Sequence, residues 1–173
     1  MSETLNRLNK ISEIAGFIAK IGMVLLAIGI AVAIIMICVV GLNPDLLTDI
    51  SEFTESTVTN NQVLMLCLTV IIGAAFGIVL LYYLDRFFAN IHENNTPFTD
   101  ENVKYLRTIA ILLLIFTFVV PAISMLLAYA LDAGSDLIIQ FNFVSLFAAF
   151  IVYFLSLIFK HGTALQKESD EML

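Results

Sequence analysis

Four long runs without a charged residue, 21–44, 56–84, 108–131 and 137–159, divide this chain. Each can supply about 20 helical residues, which at about 1.5 Å per residue spans a hydrocarbon layer of about 30 Å. Backbone groups in hydrocarbon must be paired within the protein, so only helices or closed barrels cross. The runs lack the period-two alternation of barrel strands. The pattern therefore predicts an all-α polytopic membrane protein, an antiparallel four-helix bundle with spans near 18–41, 63–84, 106–131 and 137–159. The chain reads as one membrane domain over 1–173, with an amphipathic N-terminal helix over 1–17 and a polar tail over 160–173.

Polar positions shape the segments outside the spans. Leu5, Leu8, Ile11 and Ile18 recur on one side of the N-terminal segment, with Glu3, Arg7, Lys10 and Glu13 on the other. That is the pattern of an interfacial helix lying against the inner leaflet, or of a docking surface for a partner. Lys20, at the membrane threshold, is placed to snorkel to the headgroups. After the first span, Asn43-Pro44 gives an N-cap and a first-turn proline. Leu46, Leu47, Ile50 and Phe53 then share one face, and Asp45, Asp49 and Glu52 form an acidic outer face. Its bland reading is a surface helix, and its functional one a site for a cation or a basic peptide.

Charge adds orientation. All eight Lys and Arg residues fall at the N-terminus, between the second and third spans, or after the fourth. The two opposite connections carry Asp45, Asp49, Glu52, Glu55, Asp132 and Asp136 without a base. This positive-inside pattern places both termini and the central loop in the cytoplasm. The net charge of −7 largely reflects exclusion of bases from the outer face, so direct nucleic-acid binding is not expected. The late, long first run reads as an uncleaved span rather than a signal peptide.

Within the spans, Gly73 and Gly77 form a small-residue pattern for close helix packing, with Gly22 and Gly29 as a facing groove; the same faces allow oligomerisation. Pro121 predicts a kink in the third span, relieved by the Thr117 hydroxyl. Gly134 suits a tight turn between spans three and four. The central segment is the most specific. Phe87, Phe88 and Ile91 extend the second helix, Asn94-Asn95-Thr96-Pro97 interrupts it, and Thr99 caps the next helix. Asp100 and Glu101 face that helix's positive end, and Phe98 and Val103 occupy the positions of a hydrophobic staple.

Catalytic chemistry is not legible. The spans hold no central ionisable group, and HExxH, GxSxG and phosphate-loop patterns do not occur. An enzyme, a metal site and a cofactor are not expected. Cys38 and Cys67 lie at similar depth and read first as buried apolar thiols, with a disulfide as the alternative. His92 and His161 make a poor metal pair. Gln140 and Asn142 suit interhelical hydrogen bonds near the outer end of the fourth span.

The stretch Phe88-Ala-Asn90-Ile91 through Thr96-Pro97-Phe98-Thr99-Asp-Glu101-Asn102-Val-Lys-Tyr-Leu106-Arg107 resembles a bacterial family of small four-span membrane proteins, domain of unknown function 2975. The tail from Phe159-Lys-His-Gly162 to Glu168-Ser-Asp170-Glu171 looks like that family's ending. Family members often carry glycine before the Pro-Phe-Thr core, where this chain has Asn94-Asn95. The resemblance implies a bacterial plasma (inner) membrane and no catalytic residue. It implies a genomic neighbour, a small helix-turn-helix transcription regulator. The leading expectation is a non-enzymatic regulatory protein that engages such a regulator through Arg7, Lys10, Arg86, Asn90, Glu101, Asn102, Arg107 and Glu168. The alternative is a small permease, or an immunity protein against membrane-active peptides, using the bundle interior and the outer acidic face.

Overall fold

The computed structural model describes residues 2–42, 59–133 and 143–172. The outer acidic face of Asp45, Asp49 and Glu52, the turn at Gly134, and Gln140 and Asn142 lie outside the described residues. Among the described residues the chain forms four helices: α1 (Ser2–Leu42), α2 (Asn60–Asn94), α3 (Asp100–Ala130) and α4 (Phe143–Glu171). All four are long and apolar enough to cross a membrane. The all-α, multi-pass fold is as the apolar runs predict.

The helices exceed what a bilayer requires. At 41 residues α1 is about 60 Å long, and α2, at 35, is about 50 Å, against a hydrocarbon core of about 30 Å. The surplus lies at the end that carries the termini and the α2–α3 connection, called here the basic end. The N-terminal segment corrects the expectation of an interfacial helix along the leaflet. It is the first half of α1, unbroken into the span. No proline interrupts it, and continuing the helix keeps every backbone hydrogen bond. Ser12, buried to 2 % exposure, Gly16 and Ala19 turn one face of this extension inward.

α1 and α2 pack along their length, as do α3 and α4, with α2 against α3 between the pairs. The contact seams repeat every seven residues. Ser12, Ala19, Leu26, Ala33 and Val40 mark the seam of α1, and Cys67, Ala74 and Leu81 that of α2. A seven-residue seam keeps neighbouring helices in register through a left-handed supercoil. Ala149, Ser156 and Thr163 repeat the same spacing on α4, all buried. In hydrocarbon there is little hydrophobic drive between helices, so small seam residues that permit close approach matter most.

The α1–α2 seam contains a reciprocal fit. Leu26 of α1 lies over Gly77, where a Cβ would come 2.8 Å from Leu26 Cδ1. Leu81 of α2 lies over Gly22 with the same 2.8 Å spacing. The other halves of the two expected glycine pairs behave differently. A Cβ at Gly29 or Gly73 would meet nothing within 4 Å, so those two glycines lie off the seam. Cys38 is exposed beside the seam and Cys67 buried in it, and both are free thiols.

α3 runs through Pro121 as one helix. The Thr117 hydroxyl does not relieve the proline as expected. It donates to Leu113 O at 2.8 Å and lies 2.6 Å from Ser145 Oγ, joining α3 to α4. A buried hydroxyl in a membrane helix is satisfied most cheaply by the carbonyl one turn back, and that partner outcompetes the carbonyl that the proline frees.

Gly77→Val is expected to destabilise the α1–α2 pair by about 1–3 kcal/mol through overpacking against Leu26. Unfolding titration in mixed micelles measures it. Adding Leu26→Ala should recover part of the loss, and strict additivity would show that the two residues do not meet.

Candidate functional site

The basic end holds a head in which all four helices meet. Phe87, Ile91 and Leu106 are buried there, with Leu8, Phe88, Tyr105, Val152 and Phe159 packed against them. Ring contacts thread the same region: Tyr83 to Tyr105 at 6.4 Å, Phe87 to Phe159 at 6.0 Å and Phe98 to Phe159 at 5.4 Å. Aromatic pairs at these separations gain beyond their buried area.

The α2–α3 connection organises the head. Asn95 ends α2 with φ 53°, a left-handed conformation that asparagine tolerates. Thr99 caps α3 as the sequence predicts, accepting from the Asn102 backbone N–H at 3.1 Å. The same hydroxyl donates to Asn90 Oδ1 at 2.8 Å, and Asn90 Nδ2 donates to Glu101 Oε2 at 2.7 Å. Asn102 is fully buried, its Nδ2 donating to Pro97 O at 3.0 Å and its Oδ1 left without a partner.

A clasp joins this connection to the tail of α4. The Phe98 ring lies directly on Gly162, where a Cβ would come within 2.5 Å of Cδ1. Phe98 therefore does more than staple its own helix start: its ring packs on α4. Thr96 Oγ1 donates to Gln166 Oε1 at 3.3 Å, and Lys167 Nζ donates to Asp100 Oδ2 at 2.8 Å. The Lys167 ammonium holds the Asp100 carboxyl below its usual pKa, mainly through that hydrogen bond. From the other side, Asn9 of α1 donates to Asn95.

The expected partner-contact residues divide into two groups. Asn90 and Asn102 are buried and bonded within the connection, so they build the fold rather than face a partner. Arg7, Lys10, Arg86, Glu101, Arg107 and Glu168 are exposed on the head. Arg86 stacks over Tyr82 at 5.2 Å and donates to its hydroxyl at 3.2 Å. Sequence reasoning missed the parts played by Gly162, Gln166 and Asn9. Only a glycine with no turn to make, at residue 162 inside a helical run, signalled a close approach. Among the described residues no three His, Cys, Asp or Glu side chains gather as a metal site.

A family model described as protein of unknown function (DUF2975) matches residues 46–172, and the chain belongs to that family. The match takes in both halves of the clasp and leaves α1 outside. No curated protein and no solved structure matches the chain.

Thr99→Ala should cost about 1–2 kcal/mol, since it removes a helix cap and leaves Asn90 without its donor. Thermal unfolding in detergent measures the loss, and Thr99→Ser should restore most of it. The clasp should also depend on pH. A carboxyl with a lowered folded pKa contributes above the ordinary carboxylate range and loses its contribution as pH falls through the lowered value. Hydrogen-exchange protection factors over 163–171 should therefore fall in acid, and Asp100→Asn should abolish that pH dependence.

Proposed function

We propose that this member of the DUF2975 family is a non-enzymatic regulatory protein of the bacterial inner membrane. Its termini and central connection face the cytoplasm, where it engages a helix-turn-helix transcription regulator. The observation that carries this reading is the head. Helices that only needed to span would end near the membrane threshold. Here they continue, acquire a common apolar core and are locked by the clasp. A rigid platform of this kind presents Arg7, Lys10, Arg86, Glu101, Arg107 and Glu168 in fixed relation, and preorganisation lowers the entropic cost of binding. The segregation of Lys and Arg supports the orientation, and the regulator is the partner implied by the family resemblance. The permease and immunity alternatives use the bundle interior and the outer acidic face, and the latter lies outside the described residues.

One experiment in two stages tests it. In a background with Cys38→Ser and Cys67→Ala, single cysteines replace Ser51 or Asn94. Ser51→Cys should react with an impermeant maleimide in intact cells and Asn94→Cys should not; the reverse overturns the orientation. Affinity purification of the full chain should then retain a helix-turn-helix protein, lost on combining Arg107→Glu with Glu168→Lys. If no such protein is retained, and changing Asp45, Asp49 and Glu52 sensitises cells to membrane-active peptides, the immunity reading replaces the regulatory one.

A further inference from the structure

Lys20 and Asp85 are the last charges before the apolar runs of α1 and α2, and they face each other with Nζ 3.6 Å from Oδ1. They mark one level on both helices, the level at which the charge-free runs 21–44 and 56–84 reach their basic ends. From there toward the basic end, α1 and α2 border an open cavity of about 550 Å³. That is within the range of ligand pockets, about 300–1,000 Å³. Its charged lining is mixed, Lys10 and Lys20 against Glu13 and Asp85, and His92 lines it as well.

The mixture is held in place by packing. The Asp85 side chain is only 16 % exposed, whereas that of Lys20 is 65 % exposed. A Cβ at Gly16 would come 3.2 Å from Asp85 Oδ1, so a glycine there leaves room for the carboxylate between the helices. At 3.6 Å the Lys20 ammonium is an electrostatic neighbour rather than a close hydrogen-bond donor, and a carboxylate has several acceptor sites to offer. Phe17 lines the cavity and is 64 % exposed. Ile21 and Val24 continue from it along the outside of α1, both exposed. A charged pocket thus opens onto an apolar track that leads into the bilayer.

We propose that this cavity seats the headgroup of a phospholipid bearing a primary ammonium, a phosphoethanolamine. Its phosphate lies against Lys10 and Lys20, its ammonium donates to Asp85 and Glu13, and its acyl chains follow Phe17, Ile21 and Val24. The mixed lining selects this chemistry. A phosphoglycerol headgroup satisfies the lysines and leaves the carboxylates facing a net negative lipid. A phosphocholine has the right charges but no N–H to donate. The site is separate from the proposed regulator contact, apart from Lys10, and is tested without reference to it.

The full chain is reconstituted in nanodiscs holding equal amounts of phosphatidylethanolamine, phosphatidylcholine and phosphatidylglycerol with matched acyl chains. Native mass spectrometry then reads the lipids that stay bound. Phosphatidylethanolamine should exceed phosphatidylcholine about tenfold, the discrimination expected of one charge-assisted hydrogen bond. Asp85→Asn should remove that preference, and Lys20→Met should reduce retention of all three phospholipids together. Circular dichroism and the thermal midpoint confirm that each variant is folded. If Asp85→Asn fails to fold, Phe17→Ala, at an exposed position, should still lower retention severalfold. Retention that follows the input mixture, a preference for phosphatidylglycerol, or an unchanged preference in folded Asp85→Asn overturns the proposal.

Discussion

The Thr99 hydroxyl donates to Asn90 and accepts from the Asn102 backbone, so a single oxygen ties the last turn of α2 to the first turn of α3. Both helices must reverse direction within five residues, and the left-handed Asn95 makes the turn sharp enough. Once that angle is set, the rest of the head has little freedom. Phe98 is carried onto Gly162, Asp100 is brought to Lys167, and Asn95 is presented to Asn9 of α1. Two helices outside the turn, α1 and α4, are positioned by contacts with it. The polar network is nearly closed, which is the condition under which buried polar groups specify a fold rather than weaken it.

Two solvents divide the forces that hold the molecule. In the head, water surrounds the helices, and burial of Phe87, Ile91 and Leu106 is driven by the hydrophobic effect. In the spans the surroundings are as apolar as the side chains, and helix contact rests on fit. The Leu26–Gly77 and Leu81–Gly22 pairs supply that fit, as does the Thr117–Ser145 hydroxyl contact. Most large apolar side chains of the spans, Val24, Leu25, Ile28 and Val32 among them, remain exposed and face lipid. The head and the seam are thus complementary: one fixes orientation where water is available, the other fixes distance where it is not.

Apolar runs and charge placement are enough to read the spans, because length and hydropathy are local properties of the sequence. Thr99 was legible for the same reason, since a cap acts within three residues. The continuity of α1 was harder to see. An amphipathic stripe predicts an interfacial helix equally well whether its apolar side meets lipid or another helix, and the partner extension of α2 lies some seventy residues away in sequence. Glycine pairs four or seven apart suggested contacts without showing which member would lie on the seam; Gly77 and Gly22 do, Gly73 and Gly29 do not. Asn90 and Asn102 read as polar surface because nothing in their local pattern shows that a turn will fold over them. The acceptors that bury them come from residues brought near by the reversal itself.

The residues that carry the family resemblance are largely those that meet in the clasp: Asn90, Pro97, Phe98, Thr99 and Asn102 on one side, Phe159 and Gly162 on the other. Their partners are within the chain. A motif of that kind marks an architecture, and the same buried set serves any head that must be rigid, whatever it binds. Under the proposed function, specificity has to come from side chains that the clasp holds but does not consume. Arg107 and Glu168 are such side chains, exposed on helices whose mutual position the Asp100–Lys167 and Phe98–Gly162 contacts fix. A substitution in the clasp should disturb every function of the head at once through folding, whereas one at Arg107 or Glu168 should leave the platform intact and, under the proposed function, change only partner recognition.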